Sequence, residues 1–153
     1  MTLNVALLGT GRIAEYGYIP AISKIDDVNI ISVLSRSDIK GSEFAIKHSI
    51  PSAYVEIDDL LADNHLDAVI VCTPDSLHEE QVIKSCRAKK HILCEKPMST
   101  SLEDSAAMAA AAANSTGKTI IGYNYTKNPA ITHARHLIEQ GTIGRVAGFF
   151  CRY

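Results

Sequence analysis

The chain has 153 residues, 46% of them hydrophobic and 21% charged, with a formal net charge of -2 at pH 7. That length suits one domain of ordinary size, and the composition is that of a globular protein, neither disordered nor dependent on disulfides. The mixed charge offers no basic footprint for nucleic acid, and no run reaches the ~18 apolar residues that a membrane span needs.

In chain order, residues 3–8 (Leu-Asn-Val-Ala-Leu-Leu) read as a buried strand rather than a leader. Residues 12–25 read as a helix that Pro20 must kink or split, because proline removes an N–H and clashes with the preceding turn. Residues 28–34 are a second strand, 38–48 a second helix, 53–55 a short third strand and 57–63 a small helix. The β-branched run 67–72 is a fourth strand, 76–88 a helix and 91–94 a fifth strand. Ser101 opens a helix to Ser115, with Asp104 three residues on and Gly117 as its stop. Residues 119–123 are a sixth strand. Pro129 to Gln140 reads as a last helix stopped by Gly141, and Gly144 to Tyr153 as the first strand of a further sheet. Such an edge is expected to pair between copies, giving a homo-oligomer, or to be disordered. Strands alternating with helices of this length predict a doubly wound, mostly parallel α/β sheet of the Rossmann type. The expected division is a dinucleotide-binding domain over 1–124, then a connecting helix and the start of another domain over 125–153.

The glycine loop carries the chemistry. Gly9-Thr10-Gly11-Arg12-Ile13-Ala14 follows the first strand and opens the first helix as G-x-G-x-x-A. The first glycine permits the tight turn, the second admits a pyrophosphate close to backbone, and the small third residue lets helix and strand pack. An NAD-type site places Asp or Glu about 20 residues further on. Here the second strand ends Leu34-Ser35-Arg36-Ser37, with no carboxylate before Asp38. A hydroxyl and a guanidinium suit a 2′-phosphate, so NADP is expected ahead of NAD, and Arg12 offers a second cation.

Two more motifs sit at carboxyl ends of expected strands: Cys72-Thr73-Pro74-Asp75-Ser76-Leu77-His78 and Cys94-Glu95-Lys96-Pro97. A Lys beside a Glu at such an edge is a candidate proton donor or acceptor for a hydroxyl being oxidised. Taken singly, each feature has a plain alternative: an unliganded turn, a solvated Arg36, a surface Glu-Lys-Pro turn. Cys72, Cys86, Cys94 and Cys151 form no C-x-x-C pair, so reduced thiols, a cytoplasmic location and no metal site are expected. His133 and His136 are three apart on the last helix, with no third ligand nearby in sequence, and read as surface residues.

Together, the glycine loop, Thr73-Pro74 with His78, Glu95-Lys96-Pro97, Gly122-Tyr123-Asn124 and the ending Gly141 to Val146 resemble the glucose–fructose oxidoreductase / inositol dehydrogenase / rhizopine-catabolism (Gfo/Idh/MocA) oxidoreductases. The resemblance covers essentially the whole chain. It implies Gly9, Gly11, Arg12 and Ile13 against the cofactor pyrophosphate, with Ser35 and Arg36 facing the adenosine ribose. It implies Thr73, Pro74 and His78 on the path to the nicotinamide, and Glu95 and Lys96 beside it. Lys96 would reach the substrate hydroxyl, Asn124 or Tyr123 would touch substrate or cofactor, and Lys96–Pro97 would be cis. It further implies a second, antiparallel domain past Tyr153, holding most of a sugar or polyol pocket and an Asp-x-x-x-His acid/base pair. The chain is then expected to be the cofactor-binding half of a hydride-transferring oxidoreductase, with little turnover alone. A free-standing nucleotide sensor is the rival from another class, and a non-redox enzyme using NAD transiently is a third reading.

Overall fold

The structure, a computed structural model, describes residues 2–150 and Arg152. The chain forms two compact units, one up to Gly122 and one from Tyr123 onward.

The first unit is one sheet of six strands in the order β3-β2-β1-β4-β5-β6, every neighbouring pair parallel. The strands are β1 (Leu3–Leu8), β2 (Val28–Leu34), β3 (Ser52–Tyr54), β4 (Ala68–Val71), β5 (His91–Glu95) and β6 (Thr119–Gly122). Side chains alternate across a strand, so β1 feeds two cores. Val5 and Leu7 join Val33, Ile70, Phe44 and Ile22 on one face. Ala6 and Leu8 join Val69, Val71, Leu60, Val82 and Met108 on the other. Helices α1 (Ile19–Ile22) and α2 (Asp38–His48) cover the first face; α3 (Ile57–Leu61), α4 (His78–Arg87) and α5 (Leu102–Ala113) cover the second. The strand order doubles back between β1 and β4, which opens a crevice at their carboxyl ends.

Side-chain caps start α2 and α5. Ser37 Oγ accepts from the Lys40 N–H at 3.3 Å, and Ser101 Oγ from the Asp104 N–H at 3.0 Å. The expected first helix is shorter and differently built. A π-helical turn, Ala14–Tyr18, leads into α1, and the Ile19 N–H bonds back five residues to the Ala14 carbonyl. Pro20 has no N–H for an ordinary α turn, and the widened turn ahead of it absorbs the misfit. Pro74 similarly delays α4: a 3₁₀ turn, Asp75–Leu77, precedes it, so the α-helix starts at His78 rather than Ser76.

Gly117 does not stop α5 by a left-handed turn. The helix ends at Ala113 with Asn114 as its cap, and Gly117 serves close backbone packing instead. A Cβ there would lie 2.1 Å from the Lys90 carbonyl oxygen.

In the second unit a 3₁₀ turn, Asn124–Lys127, precedes α6 (Pro129–Glu139). Asn128 caps α6 through its side chain, Pro129 sits at the first turn, and Gly141 ends it at φ +70°. The Gly141 and Thr142 N–H groups return to the Ile138 and Leu137 carbonyls, the paired bonds of a Schellman ending. The terminal strand expected over 144–153 is not formed among its described residues. A strand needs a neighbour for its N–H and C=O groups, and the aromatic stretch has none, leaving Phe149 90% exposed. Cys151 and Tyr153 lie outside the described residues.

Replacing Gly117 by alanine drives a methyl group into the Lys90 carbonyl and should cost about 1–3 kcal/mol, typical of overpacking. Urea unfolding followed by circular dichroism reads this as a lower midpoint; an unchanged midpoint means the β5–β6 junction yields freely.

Candidate functional site: the carboxyl edge of the sheet

The glycine loop fits its turn by sterics. Gly9 sits at φ +116°, where a Cβ would come within 2.9 Å of the Cys72 carbonyl oxygen. Its N–H donates to the Leu34 carbonyl at 3.0 Å, tying the loop to the end of β2. Gly11 is the opposite case, because a Cβ there would meet nothing within 4 Å. The space that it leaves open is not filled by protein. Ala14 is fully buried, which brings the helical turn close onto the sheet.

Two clefts open on this edge, and both reach Cys72 and Thr73. The larger, about 490 Å³, lies over the ends of β1, β2 and β4 and is lined by Gly9, Gly11, Ser35, Arg36, Thr73 and Pro74 among others. The smaller, about 300 Å³, lies over the ends of β4 and β5 and is bordered by Ile13, Thr73, His78, Glu95, Lys96 and Pro97. The edge therefore gathers most of the residues singled out in the sequence. Arg12 is exposed on the loop but borders neither cleft. Asn124 belongs to the second unit, in its 3₁₀ turn.

Ser35 is buried, with its hydroxyl 3.4 Å from the Ser37 N–H and Gly41 packed close against it. Arg36 is exposed and forms no ion pair among the described residues. Sequence reasoning missed Lys40, a second cation lining this cleft from the first turn of α2, and Glu56 and Glu80, carboxylates on the same wall. It also missed Lys84, which is already paired with Asp58 at 3.0 Å and Glu80 at 3.2 Å. Thr73 donates its hydroxyl to Gln81 Oε1 at 2.7 Å, which fixes the loop after β4.

His78 is only 1% exposed, and each ring nitrogen faces a backbone carbonyl. Nδ1 faces the Pro97 carbonyl at 2.9 Å and Nε2 the Thr73 carbonyl at 3.0 Å. The ring thus links the loops after β4 and β5. Lys96–Pro97 is cis, as expected. Lys96 is exposed at the cleft, and its backbone N–H donates to Glu95 Oε2 at 3.2 Å. The other oxygen, Oε1, accepts from the Tyr18 hydroxyl at 2.6 Å. Tyr18 was not legible as a site residue: it stands 77 positions from its partner. Burial, then the Glu95 carboxylate, push the Tyr18 phenol well above its ordinary value. Burial first, then the same carboxylate, push the Cys72 and Cys94 thiols up to about 12.

A six-stranded parallel sheet wound in this order, with a glycine turn and open clefts at its switch point, defines a dinucleotide-binding α/β domain. Residues 3–123 match the oxidoreductase family with an NAD-binding Rossmann fold, GFO_IDH_MocA, and the chain belongs to that family. It is 35% identical over 141 residues to 1,5-anhydro-D-fructose reductase of Ensifer adhaerens, covering 91% of this chain and 41% of the relative. It is 29% identical to scyllo-inositol 2-dehydrogenase (NADP(+)) IolU of Bacillus subtilis (strain 168), over 99% of this chain and 46% of that one. The crystal structure of an NAD binding oxidoreductase from Klebsiella pneumoniae superposes with a TM-score of 0.84 at 27% identity, over 94% of this chain and 40% of that one. The chain thus spans less than half the length of these relatives, and what it spans is their cofactor-binding part. Among the described residues no helix is long and apolar enough to cross a membrane.

The two glycines should separate in their effects. Gly11→Ala should shift stability by no more than about 0.5 kcal/mol, as an open surface position does, yet weaken dinucleotide binding at least about tenfold by filling the pyrophosphate approach. Calorimetry beside thermal melts checks both halves, and unchanged binding removes Gly11 from the site. Alkaline pH gives another test. Unfolded thiols ionise near their ordinary 9.0, whereas Cys72 and Cys94 stay protonated in the fold until about 12. Their contribution is full below pH 9 and is lost as pH rises toward 12, because the unfolded state then binds fewer protons. Unfolding midpoints between pH 8 and 11 should fall in the native chain and fall less in Cys72→Ala/Cys94→Ala.

Proposed function

We propose that this chain is the cofactor half of an NAD(P)-dependent oxidoreductase that passes hydride to or from a sugar, polyol or related alcohol, with NADP preferred. The observation that carries the reading is the open space at Gly11 on a glycine turn that leads into both clefts. That cradle suits a pyrophosphate, and the donor set fits the rest of a dinucleotide. Gly9, Gly11, Arg12 and Ile13 would hold the pyrophosphate, and Ser35 and Arg36 the adenosine ribose. Thr73, Pro74 and His78 would wall the way to the nicotinamide, with Glu95 and Lys96 beside it. The cofactor, when bound, supplies the hydride chemistry.

The chain's own part is to place and to move a proton. Lys96 presents an exposed amine on a cis turn, where it can give or take the proton of the substrate hydroxyl. His78 fixes the loops on either side of it. The preference for NADP rests on charge. The cleft wall carries Arg36, Lys40 and Lys84 with the carboxylates Glu56 and Glu80; Lys84 is already paired with Glu80, whereas Arg36 forms no ion pair among the described residues and can grip a phosphate bidentately. The named reductase and dehydrogenase relatives support an alcohol or carbonyl substrate class. The buried free thiols Cys72, Cys86 and Cys94 support a reducing, cytoplasmic setting.

Titration with NADPH and NADH separately tests the reading. NADPH should bind more tightly, and Arg36→Ala should cost NADPH roughly tenfold or more, the worth of a charge-assisted bond, while leaving NADH nearly unchanged. NADH binding as tightly as NADPH overturns the preference, and binding of neither overturns the cofactor reading.

A further inference from the structure

Two carboxylates border the smaller cleft, Asp75 and Glu95, and both oxygens of Glu95, at the end of β5, are engaged. Oε2 takes the Lys96 backbone N–H, and Oε1 takes the Tyr18 hydroxyl from the opposite side. One local feature delivers that second bond: the π-helical turn Ala14–Tyr18 widens the helix ahead of Pro20 and ends on Tyr18. On the neighbouring strand β6, Gly122 flanks the carboxylate, where a Cβ would make ordinary contact with Oε1 at 3.4 Å. Extra-wide turns of this kind often sit at functional sites. A half-buried phenol and a carboxylate at 2.6 Å form a charge-assisted bond, and that bond is short of alternatives. Lys96, next in sequence, makes no ion pair with Glu95 among the described residues.

We infer that Tyr18 is a positioning residue: by holding Oε1, it fixes the Glu95 carboxylate toward the nicotinamide side of the dinucleotide and keeps it from capturing the Lys96 ammonium. Tyr18 touches neither cofactor nor substrate and acts through Glu95. The freed carboxylate would otherwise rotate toward the adjacent cation, tying up the amine and removing a hydrogen-bond acceptor from the cleft. This rests on the dinucleotide reading above.

The test separates the two halves of the ligand. The chain, Tyr18→Phe, Glu95→Gln and the double variant are each titrated with the full dinucleotide (NADP+ and NAD+) and with the matching adenosine half (2′,5′-ADP and ADP). Tyr18→Phe should weaken the full dinucleotide about tenfold, the size expected for a hydrogen bond to a charged group, and leave the adenosine half unchanged. Glu95→Gln should do the same, and the double variant should lose no more than the worse single one, as coupled partners do. Equal weakening of both ligands by Tyr18→Phe marks a merely structural role and overturns the inference. So do unchanged dinucleotide binding and additive losses in the double variant. If the unmodified chain binds an adenosine half as tightly as the full dinucleotide, the smaller cleft is unused and the inference fails alone. If it binds none of the four ligands, the cofactor reading fails and takes the inference with it.

Discussion

The site depends on the close approach of the chain to itself where β1 turns over the end of β4. The Cys72 thiol donates to the Leu8 carbonyl at 3.3 Å, and the Cys72 N–H does so at 3.0 Å. Gly9 crosses directly above, with no space for a side chain. Only at this junction do neighbouring strands run to opposite sides in chain order, so the loops after β1 and β4 part and leave the crevice empty. A bulkier residue at position 9 would push the loop off Cys72 and with it Thr73, which borders both clefts. The two cores beneath make the junction rigid: β1 is buried on both faces, so its end cannot relax without disturbing Leu7 on one side and Leu8 on the other.

From that junction the edge divides into two chemical regions. Over β2, the wall carries Arg36 and Lys40 with Glu56, all exposed. It is wet and charged, suited to reading a phosphate or a ribose edge. Over β5, the groups are half-buried and mutually engaged: His78 between two carbonyls, Glu95 between two donors. A neutral imidazole carries one N–H and can donate to only one of the two carbonyls that it faces. The buried ring therefore joins the two loops by one hydrogen bond and by close packing against the other. The mutually engaged groups thus lie over β5 and the exposed charges over β2.

Much of this was legible in the sequence because parallel strands are buried on both faces and announce themselves as apolar, β-branched runs. β2 and α2 fall on the expected residues to the end, since Val28 to Leu34 is such a run and Ser37 is a natural cap. The glycine loop and the Glu-Lys-Pro turn are local patterns, so their places were readable too. What escaped are contacts whose partners lie far apart. Nothing near Tyr18 points to Glu95, and nothing near Gly117 points to the Lys90 carbonyl. Proline marked trouble at position 20 but not its remedy, because a kink, a break and a widened turn all answer the same missing N–H. The aromatic ending was read as a strand from propensity alone, and propensity forms no strand without a neighbour to pair with.

The asymmetry between Glu95 and Lys96 follows from this. They are adjacent, oppositely charged and exposed enough to meet, and an isolated pair of that kind gains little in water. Here the carboxylate has two better partners, one a backbone N–H fixed by the turn and the other a phenol delivered by the helix. Each is already oriented, so neither must give up side-chain freedom to the extent that a lysine would. Among the described residues the Lys96 side chain has no ion-pair partner, and it stands at the cleft on a turn that His78 borders at the Pro97 carbonyl. In the reading proposed above, that side chain can meet a substrate hydroxyl without first breaking a bond to the protein. The turn ahead of Pro20 and the end of β5, 77 residues apart, thus meet at one carboxylate, and that meeting satisfies Glu95 without Lys96.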